Sequence, residues 1–157
     1  MMRTRRAIFW AVVVILSATQ AAARSCDLAR SDFRPRQGSD AFLLRSRADQ
    51  GQIVWEFTFQ RTGEVFRFRT DIDPARGNAL LSAPGNEGKN PEVRVSFTLS
   101  SEDGSKVPPL PSQSVTAVSF VDLAKVFMEY RVRLGQPADP SNFPPSGVWP
   151  LAECRAE

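Results

Sequence analysis

Histidine is absent from all 157 residues of this chain, and cysteine occurs only twice. The first absence excludes Ser-His-Asp and Cys-His catalysis, and it also excludes histidine-ligated zinc or copper. Neither a Gly-x-Ser-x-Gly nor a Gly-x-Gly-x-x-Gly pattern occurs, although these mark many hydrolases and dinucleotide-binding proteins. The sequence therefore predicts no metal, no cofactor and no recognisable catalytic motif.

Long apolar runs are also missing. The longest, residues 7–16, covers about half of the roughly 20 residues that a membrane-spanning helix needs. It follows three arginines and precedes three consecutive alanines, an order typical of a bacterial secretory signal. We interpret residues 1–23 as a signal peptide and residues 24–157 as a single exported β-rich domain, periplasmic or secreted, without a stable membrane span.

The part that remains after removal of this signal carries no excess of either charge. The full chain has 20 basic and 17 acidic residues, and three of the basic ones, Arg3, Arg5 and Arg6, belong to the signal. Nucleic-acid binding normally needs a clustered basic surface, whereas the remaining charges are interleaved along the chain. The sequence therefore predicts no nucleic-acid partner.

The two cysteines, Cys26 and Cys154, lie near the two ends of the exported part. Two lone cysteines in an oxidising compartment normally pair. Closing so long a loop would remove roughly 4 to 5 kcal/mol of unfolded-state entropy in the chain-entropy model. We predict a structural disulfide that joins both termini to one body.

Alternation of apolar and polar residues is the dominant pattern in the exported part. Residues 92–100 and 128–134 alternate cleanly, and residues 41–47 and 114–121 do so more weakly. This period of two predicts half-buried β-strands. Residues 120–127 stay open between a strand and a short helix, because the preceding Ser-Phe-Val-Asp sequence matches a capping box.

The predicted fold class is mainly β. Five or six alternating strands without long helices are typical of an antiparallel sheet with one solvent-exposed face. A small antiparallel β-sandwich of immunoglobulin-like character is the leading architecture, and a partly open β-barrel is the alternative.

Residues 53–70, IVWEFTFQRTGEVFRFRT, are unusually rich in aromatic side chains and predict a β-hairpin. A two-residue turn at Thr62-Gly63 would place Phe57 opposite Phe68 and Phe59 opposite Phe66. One face of the hairpin would then be aromatic, formed by Trp55, Phe57, Phe59, Phe66 and Phe68. Because exposed apolar patches of that size are uncommon on monomers, we interpret this face as core rather than as a docking surface.

The residues that follow Gly135 contain many prolines, which disfavour regular strand pairing. They predict an extended segment, here called the Pro-rich strap (136–150), that leads to Cys154. Its two large aromatic residues, Phe143 and Trp149, are the candidate partner-binding residues, because an aromatic ring in a proline context can anchor a partner.

Together these features favour a non-enzymatic binding or accessory module of the bacterial envelope, with a protein or a glycan as partner. One alternative is a carboxylate-dependent cell-wall or polysaccharide hydrolase, which needs two acids that converge in a groove. Another is an assembly subunit that exchanges strands with its neighbours. The acids considered for the hydrolase are Asp71, Asp73, Glu87, Glu102 and Asp103.

Overall fold

The computed structural model describes residues 25–38, 40–72, 78–83, 92–137, 139 and 142–156. The predicted signal peptide, residues 1–23, lies outside the described residues, and so do Asp73 and Glu87. Within the described ranges, no helix is both long enough and apolar enough to cross a membrane.

Strands dominate the described part of the chain. They are β1 Cys26–Asp27, β2 Ser31–Phe33, β3 Phe42–Asp49, β4 Gln52–Phe59, β5 Glu64–Ile72, β6 Ala79–Ala83, β7 Val93–Ser100, β8 Lys106–Val107, β9 Ser114–Val115, β10 Ala117–Phe120 and β11 Gly147–Cys154. A 3-10 helix, Leu28–Arg30, connects β1 to β2, and α1, Leu123–Arg133, lies between β10 and β11.

Eight of these strands form a closed antiparallel barrel. From β2 to β7, each strand pairs with the next one along the chain. Strand β10 pairs with both β7 and β11, and β11 returns to β2, which completes the ring. The predicted mainly-β fold is confirmed, and its barrel alternative describes the architecture. The sandwich is not what forms, because β10 pairs along both of its edges and joins the sheet into one ring.

The remaining short strands lie outside this ring. Strand β8 pairs with the end of β7, and β1 pairs with β9 in a separate two-residue ladder. The predicted strand over 92–100 is confirmed as β7, whose four inward residues, Val93, Val95, Phe97 and Leu99, are all buried. Strand β6 was missed by the sequence analysis, because its five residues, ALLSA, are too short to show a clear alternation.

The predicted strand over 128–134 is wrong, since these residues belong mostly to α1. Residues 120–127, which the sequence leaves open between strand and helix, contain both: Phe120 ends β10, and the residues from Leu123 onward belong to α1, which is longer than the two turns considered. Asp122 occupies the N-cap position without a side-chain capping bond. The helix buries residues at spacings of four and three, which fits a helical and not a strand period: Leu123, Phe127 and Tyr130.

The β4–β5 hairpin pairs in a register two residues away from the predicted one. Phe57 lies opposite Phe66, and Trp55 lies opposite Phe68. The loop has four residues instead of two, because the Gly63 N–H donates to the Phe59 carbonyl at 2.8 Å and Gly63 adopts a φ of 72°. Since side chains alternate with a period of two, this shift leaves the same five rings on one face.

That aromatic face lies inside the barrel. Trp55, Phe57, Phe59 and Phe68 are buried, and Phe66 is partly buried against them. The ring of Phe127 from α1 lies among them, 5.0 Å from the ring of Phe66 and 5.1 Å from that of Phe57. The helix therefore fills one end of the barrel with an aromatic side chain.

The Pro-rich strap pairs regularly over its last part, contrary to the prediction. Its residues from Gly147 onward belong to β11, which is hydrogen-bonded to both β10 and β2. Pro150 is accommodated next to an irregularity in the β11–β2 pairing between Leu151 and Glu153. A bulged strand tolerates proline because the ladder is already interrupted there.

Cys26 and Cys154 lie at the opposite end of the barrel. The predicted disulfide between Cys26 and Cys154 is confirmed, with a Cα–Cα distance of 5.7 Å. Arg155, the next residue, places its Nε 3.0 Å from a carboxylate oxygen of Asp32, which is almost fully buried. Arg45 donates to the same carboxylate at 2.9 Å, and this hydrogen bond raises the pKa of Arg45. The segment around Cys154 and Arg155 is thus fixed by a covalent bond and by an ion pair with a buried carboxylate.

Candidate functional site

A cleft of about 520 Å³ opens at the end of the barrel where α1 lies. Because the ring is antiparallel, the end of β4 and the starts of β3 and β5 meet there. The C-terminal part of α1 and the first half of the Pro-rich strap complete the wall. We call this site the aromatic cleft. Its volume lies in the range of known small-ligand sites, roughly 300–1,000 Å³.

One half of the aromatic cleft is apolar. The rings of Phe42 and Phe59 meet edge to face at 5.5 Å, and each side chain is 6% exposed. Phe143 from the strap faces the same cleft and is partly buried. Phe42 and Phe59 are held in the barrel core, so they form a rigid floor, whereas Phe143 comes from a segment outside the sheet.

The other half is polar and is organised by Arg131 near the end of α1. Its Nη2 forms an ion pair with Glu64 at the start of β5, and its Nη1 donates to Oε1 of Gln136 at 2.5 Å. Its guanidinium carbon lies 5.7 Å from the ring centroid of Phe59, a cation–π contact. The side chain of Arg131 is only 19% exposed. Contacts on three sides therefore fix this guanidinium against the wall of the cleft.

A second arginine, Arg61, lies at the rim of the aromatic cleft in the β4–β5 loop. Its side chain is exposed, and no carboxylate among the described residues lies within ion-pair distance of it. Thr62, the next residue, also lines the cleft. Arg61 thus adds an uncompensated positive charge where a ligand would enter.

The two candidate partner-binding residues lie in different environments. Phe143 lies at the surface of the aromatic cleft and is available to a ligand. Trp149 is fully buried in β11, with its ring 5.4 Å from that of Phe57 and its indole N–H donating to the Pro145 carbonyl at 2.9 Å. Trp149 therefore belongs to the core and offers no surface to a partner. Its inward position is set by strand alternation along β11.

Most residues of the aromatic cleft were not predicted from the sequence, among them Phe42, Arg61, Glu64 and Arg131. Arg131 and Glu64 are 67 positions apart in the chain and meet only because α1 returns to the hairpin end of the barrel. The local sequence around Glu64 and around Arg131 does not distinguish either residue from the other charged residues of the chain. Nothing in the sequence signals that Glu64 and Arg131 form a pair.

A smaller groove of about 250 Å³ runs between β7 and α1. It is lined by charges of both signs, with Glu92 and Arg94 on one side and Glu129 on the other. Glu92 and Arg94 form an ion pair at 2.8 Å. Tyr130 also lines the groove, and burial raises the pKa of its phenol. With little apolar surface, this groove is a weaker candidate than the aromatic cleft.

Asp71, Glu102 and Asp103, three of the acids considered for a hydrolase, do not line the aromatic cleft, and the other two, Asp73 and Glu87, lie outside the described residues. Asp71 is exposed at the end of β5, and Glu102 and Asp103 are exposed in the turn between β7 and β8. Hydrogen bonds from the Ser101 hydroxyl and from the Ser105 N–H lower the pKa of Asp103 from 3.8 to about 2. A catalytic acid needs the opposite shift. Among the described residues, no group of three or more carboxylates and cysteines is placed to hold a metal ion.

The lowered pKa of Asp103 predicts a specific titration. Because the ionised form is favoured in the fold, its stabilising effect is present at neutral pH and is lost as the pH falls through about 2. Removing the largest cause with Ser101→Ala should move the pKa of Asp103 up toward 3.8. An NMR titration of the Asp103 carboxyl carbon in both proteins measures this. An unshifted pKa in the unsubstituted protein would contradict the hydrogen-bonding geometry of this turn.

Comparison with protein-family models, with curated proteins and with solved structures gave no match for this chain.

Proposed function

We propose that this chain is a non-enzymatic, exported binding module that engages a partner of the bacterial envelope through the aromatic cleft. The observation that carries the proposal is the convergence of Phe42, Phe59 and Phe143 with two arginines in one cleft of about 520 Å³. Such a combination of apolar floor and few polar groups is typical of binding sites. A protein that inserts an apolar side chain is the partner best suited to it.

The rigidity of the cleft supports a binding role. Its floor is part of a closed barrel, and its polar wall is fixed by the contacts of Arg131 with Glu64 and Gln136. A pre-organised site loses little conformational entropy when a partner binds. Export is supported by the signal-like N-terminal sequence and by the disulfide, since such bonds persist mainly in oxidising compartments.

The two alternative functions have less support. The only carboxylate among the described lining residues is Glu64, and it is engaged by Arg131, whereas a glycosidase needs two carboxyl groups across the substrate. Strand exchange needs a long free edge. In the described part of the chain, the strands that lie outside the ring are two residues long.

The proposal predicts a cross-linked partner at the aromatic cleft. A photo-reactive phenylalanine analogue at Thr62, on the rim, should capture one envelope protein when the full chain is exported in cells. The same analogue at Ser96, which is exposed on β7 away from the cleft, serves as the matched control. Adding Phe143→Ala to the Thr62 variant should lower the captured amount about tenfold, as expected for truncating a central aromatic contact.

Mass spectrometry of the cross-linked product identifies the partner. Capture at Ser96 as strong as at Thr62 would contradict the proposal, because contact would then not involve the cleft. Capture that is insensitive to Phe143→Ala would contradict it equally.

A further inference from the structure

The polar half of the aromatic cleft offers hydrogen-bond donors rather than acceptors. Arg61 provides a guanidinium with no acid partner among the described residues. The Oε1 of Gln136 already accepts from Arg131, so the amide nitrogen of Gln136 keeps its two N–H groups for other acceptors. The Oγ1 of Thr62 accepts from the Glu64 N–H at 3.4 Å, which leaves its hydroxyl proton as a donor.

The acceptors on this wall are largely occupied or neutralised. The charge of Glu64 is balanced by its ion pair with Arg131. Asn142 donates from its Nδ2 to Asp139 at 3.4 Å, and its carbonyl oxygen is the neutral side-chain acceptor left on the strap side of the cleft. Two arginines against one glutamate give the described lining a net positive charge. A sugar, whose hydroxyl groups need donors and acceptors alike, fits such a wall poorly.

From these observations we infer that the aromatic cleft recognises an apolar group that carries a carboxylate. The apolar part lies on Phe42, Phe59 and Phe143, and the carboxylate faces Arg61 and the amide nitrogen of Gln136. Arg131 is a positioning residue in this arrangement, because its contacts with Glu64 and Gln136 orient the donors without leaving it free for the ligand. This inference rests on the proposed function and specifies which chemical group of a partner enters the cleft.

Charge-assisted hydrogen bonds decide the selectivity. A carboxylate adds Coulomb attraction to the guanidinium and can accept two parallel hydrogen bonds from it, whereas a neutral carbonyl adds neither. Solvent screens part of that gain because Arg61 is exposed. The cleft should therefore bind an apolar carboxylate about five- to tenfold more tightly than the matching uncharged amide, and the preference should fall as salt is added.

The test compares N-acetylphenylalanine with N-acetylphenylalaninamide, which differ only in their terminal group, a carboxylate in the first and a neutral carboxamide in the second. Binding to the full exported chain is followed by amide NMR shifts, and dissociation constants on the order of millimolar are expected for ligands of this size. Shifts should concentrate at the aromatic cleft, and the acid should bind about five- to tenfold more tightly. Equal binding of acid and amide, or shifts that map elsewhere, would overturn the inference.

Three variants separate the contributions. Arg61→Gln should abolish the preference for the acid over the amide, and Phe143→Ala should weaken both ligands by the same factor. Arg69→Gln is the matched control, since Arg69 is an exposed arginine of the same hairpin that does not line the cleft. It should leave the preference intact. Loss of the preference in Arg69→Gln but not in Arg61→Gln would overturn the inference.

Further arms distinguish the source of the carboxylate. An acetylated tripeptide that ends in phenylalanine should bind more tightly than N-acetylphenylalanine if the natural ligand is a chain terminus, and no more tightly if it is a small free acid. In both cases the preference for the acid holds. Capture of a partner at Thr62 without any preference for the acid would contradict this inference and leave the proposed function standing. A preference for the acid without capture of a partner at Thr62 would contradict only the proposed function.

Discussion

Replacing Phe127 with alanine is expected to lower the free energy of unfolding by about 3 to 5 kcal/mol. Its side chain is 0% exposed and contacts the rings of Phe57, Phe59, Phe66 and Phe68 at centroid distances of 5.0–6.4 Å. Truncation would leave a cavity between α1 and the barrel. The surrounding rings belong to a hydrogen-bonded sheet, which limits how far they can move to refill it.

Urea unfolding followed by tryptophan fluorescence measures this loss. Met128→Ala is the matched control, because Met128 is the next residue of the same helix but is 39% exposed, and its truncation should change the free energy by less than about 0.5 kcal/mol. Similar losses for the two variants would contradict the placement of Phe127 inside the barrel.

The same substitution should also affect the aromatic cleft. The ring centroid of Phe127 lies 5.4 Å from that of Phe59. Phe59 in turn forms part of the cleft floor and makes the cation–π contact with Arg131. Under conditions in which Phe127→Ala remains folded, binding of N-acetylphenylalanine should be weaker than in the unsubstituted protein. Unchanged binding would show that the cleft does not depend on the packing of α1.

Removing the disulfide by replacing Cys26 and Cys154 with alanine is expected to lower the free energy of unfolding by roughly 4 to 5 kcal/mol. The two cysteines are 128 positions apart, so in the unfolded state the bond closes a loop that covers most of the chain. It also holds Arg155 next to Asp32, where the backbone N–H of Arg155 donates to the Arg30 carbonyl at 2.9 Å. Both effects act in the same direction.

Arg155→Met in the disulfide-intact protein separates these two effects. It removes one of the two guanidiniums that contact Asp32 and leaves the covalent bond in place. Urea midpoints of the two variants, measured side by side, give each contribution. A double-alanine variant that unfolds at the midpoint of the unsubstituted protein would contradict the role assigned to the disulfide, and so would two free thiols in the purified native chain.

Local alternation predicted the strands well where both faces of the pattern were clear. Residues 92–100 are the best case, because each inward residue of β7 is apolar and the outward ones are polar. Residues 128–134 show the limit of this signal. Their apolar positions fit a period of two, yet the buried partners of Phe127 lie on β4 and β5, and packing against them selects the helix.

The aromatic cleft was only partly predictable. Phe143 and Trp149 were both predicted as partner-binding residues because an aromatic ring in a proline context can anchor a partner; Phe143 lines the cleft, where its binding role stays a prediction, whereas Trp149 is buried in the core. The difference depends on where β11 begins, since pairing with β10 and β2 turns Trp149 inward. No feature of the neighbouring sequence distinguishes Arg61 and Arg131, the two arginines of the cleft, from other arginines.

The sequence by itself determined the mainly-β character, the pairing of its only two cysteines and the set of rings that share the inner face of the hairpin. These properties depend on composition and on a period of two. An error of two residues in register changes neither, because each side chain stays on the same face of the sheet. Only the tertiary structure decided that the sheet closes into a barrel, that Trp149 is buried, and that Arg131 meets Glu64. Those outcomes require strands and helix ends that are far apart in the chain to meet, and their pairing energies are not encoded in any short segment.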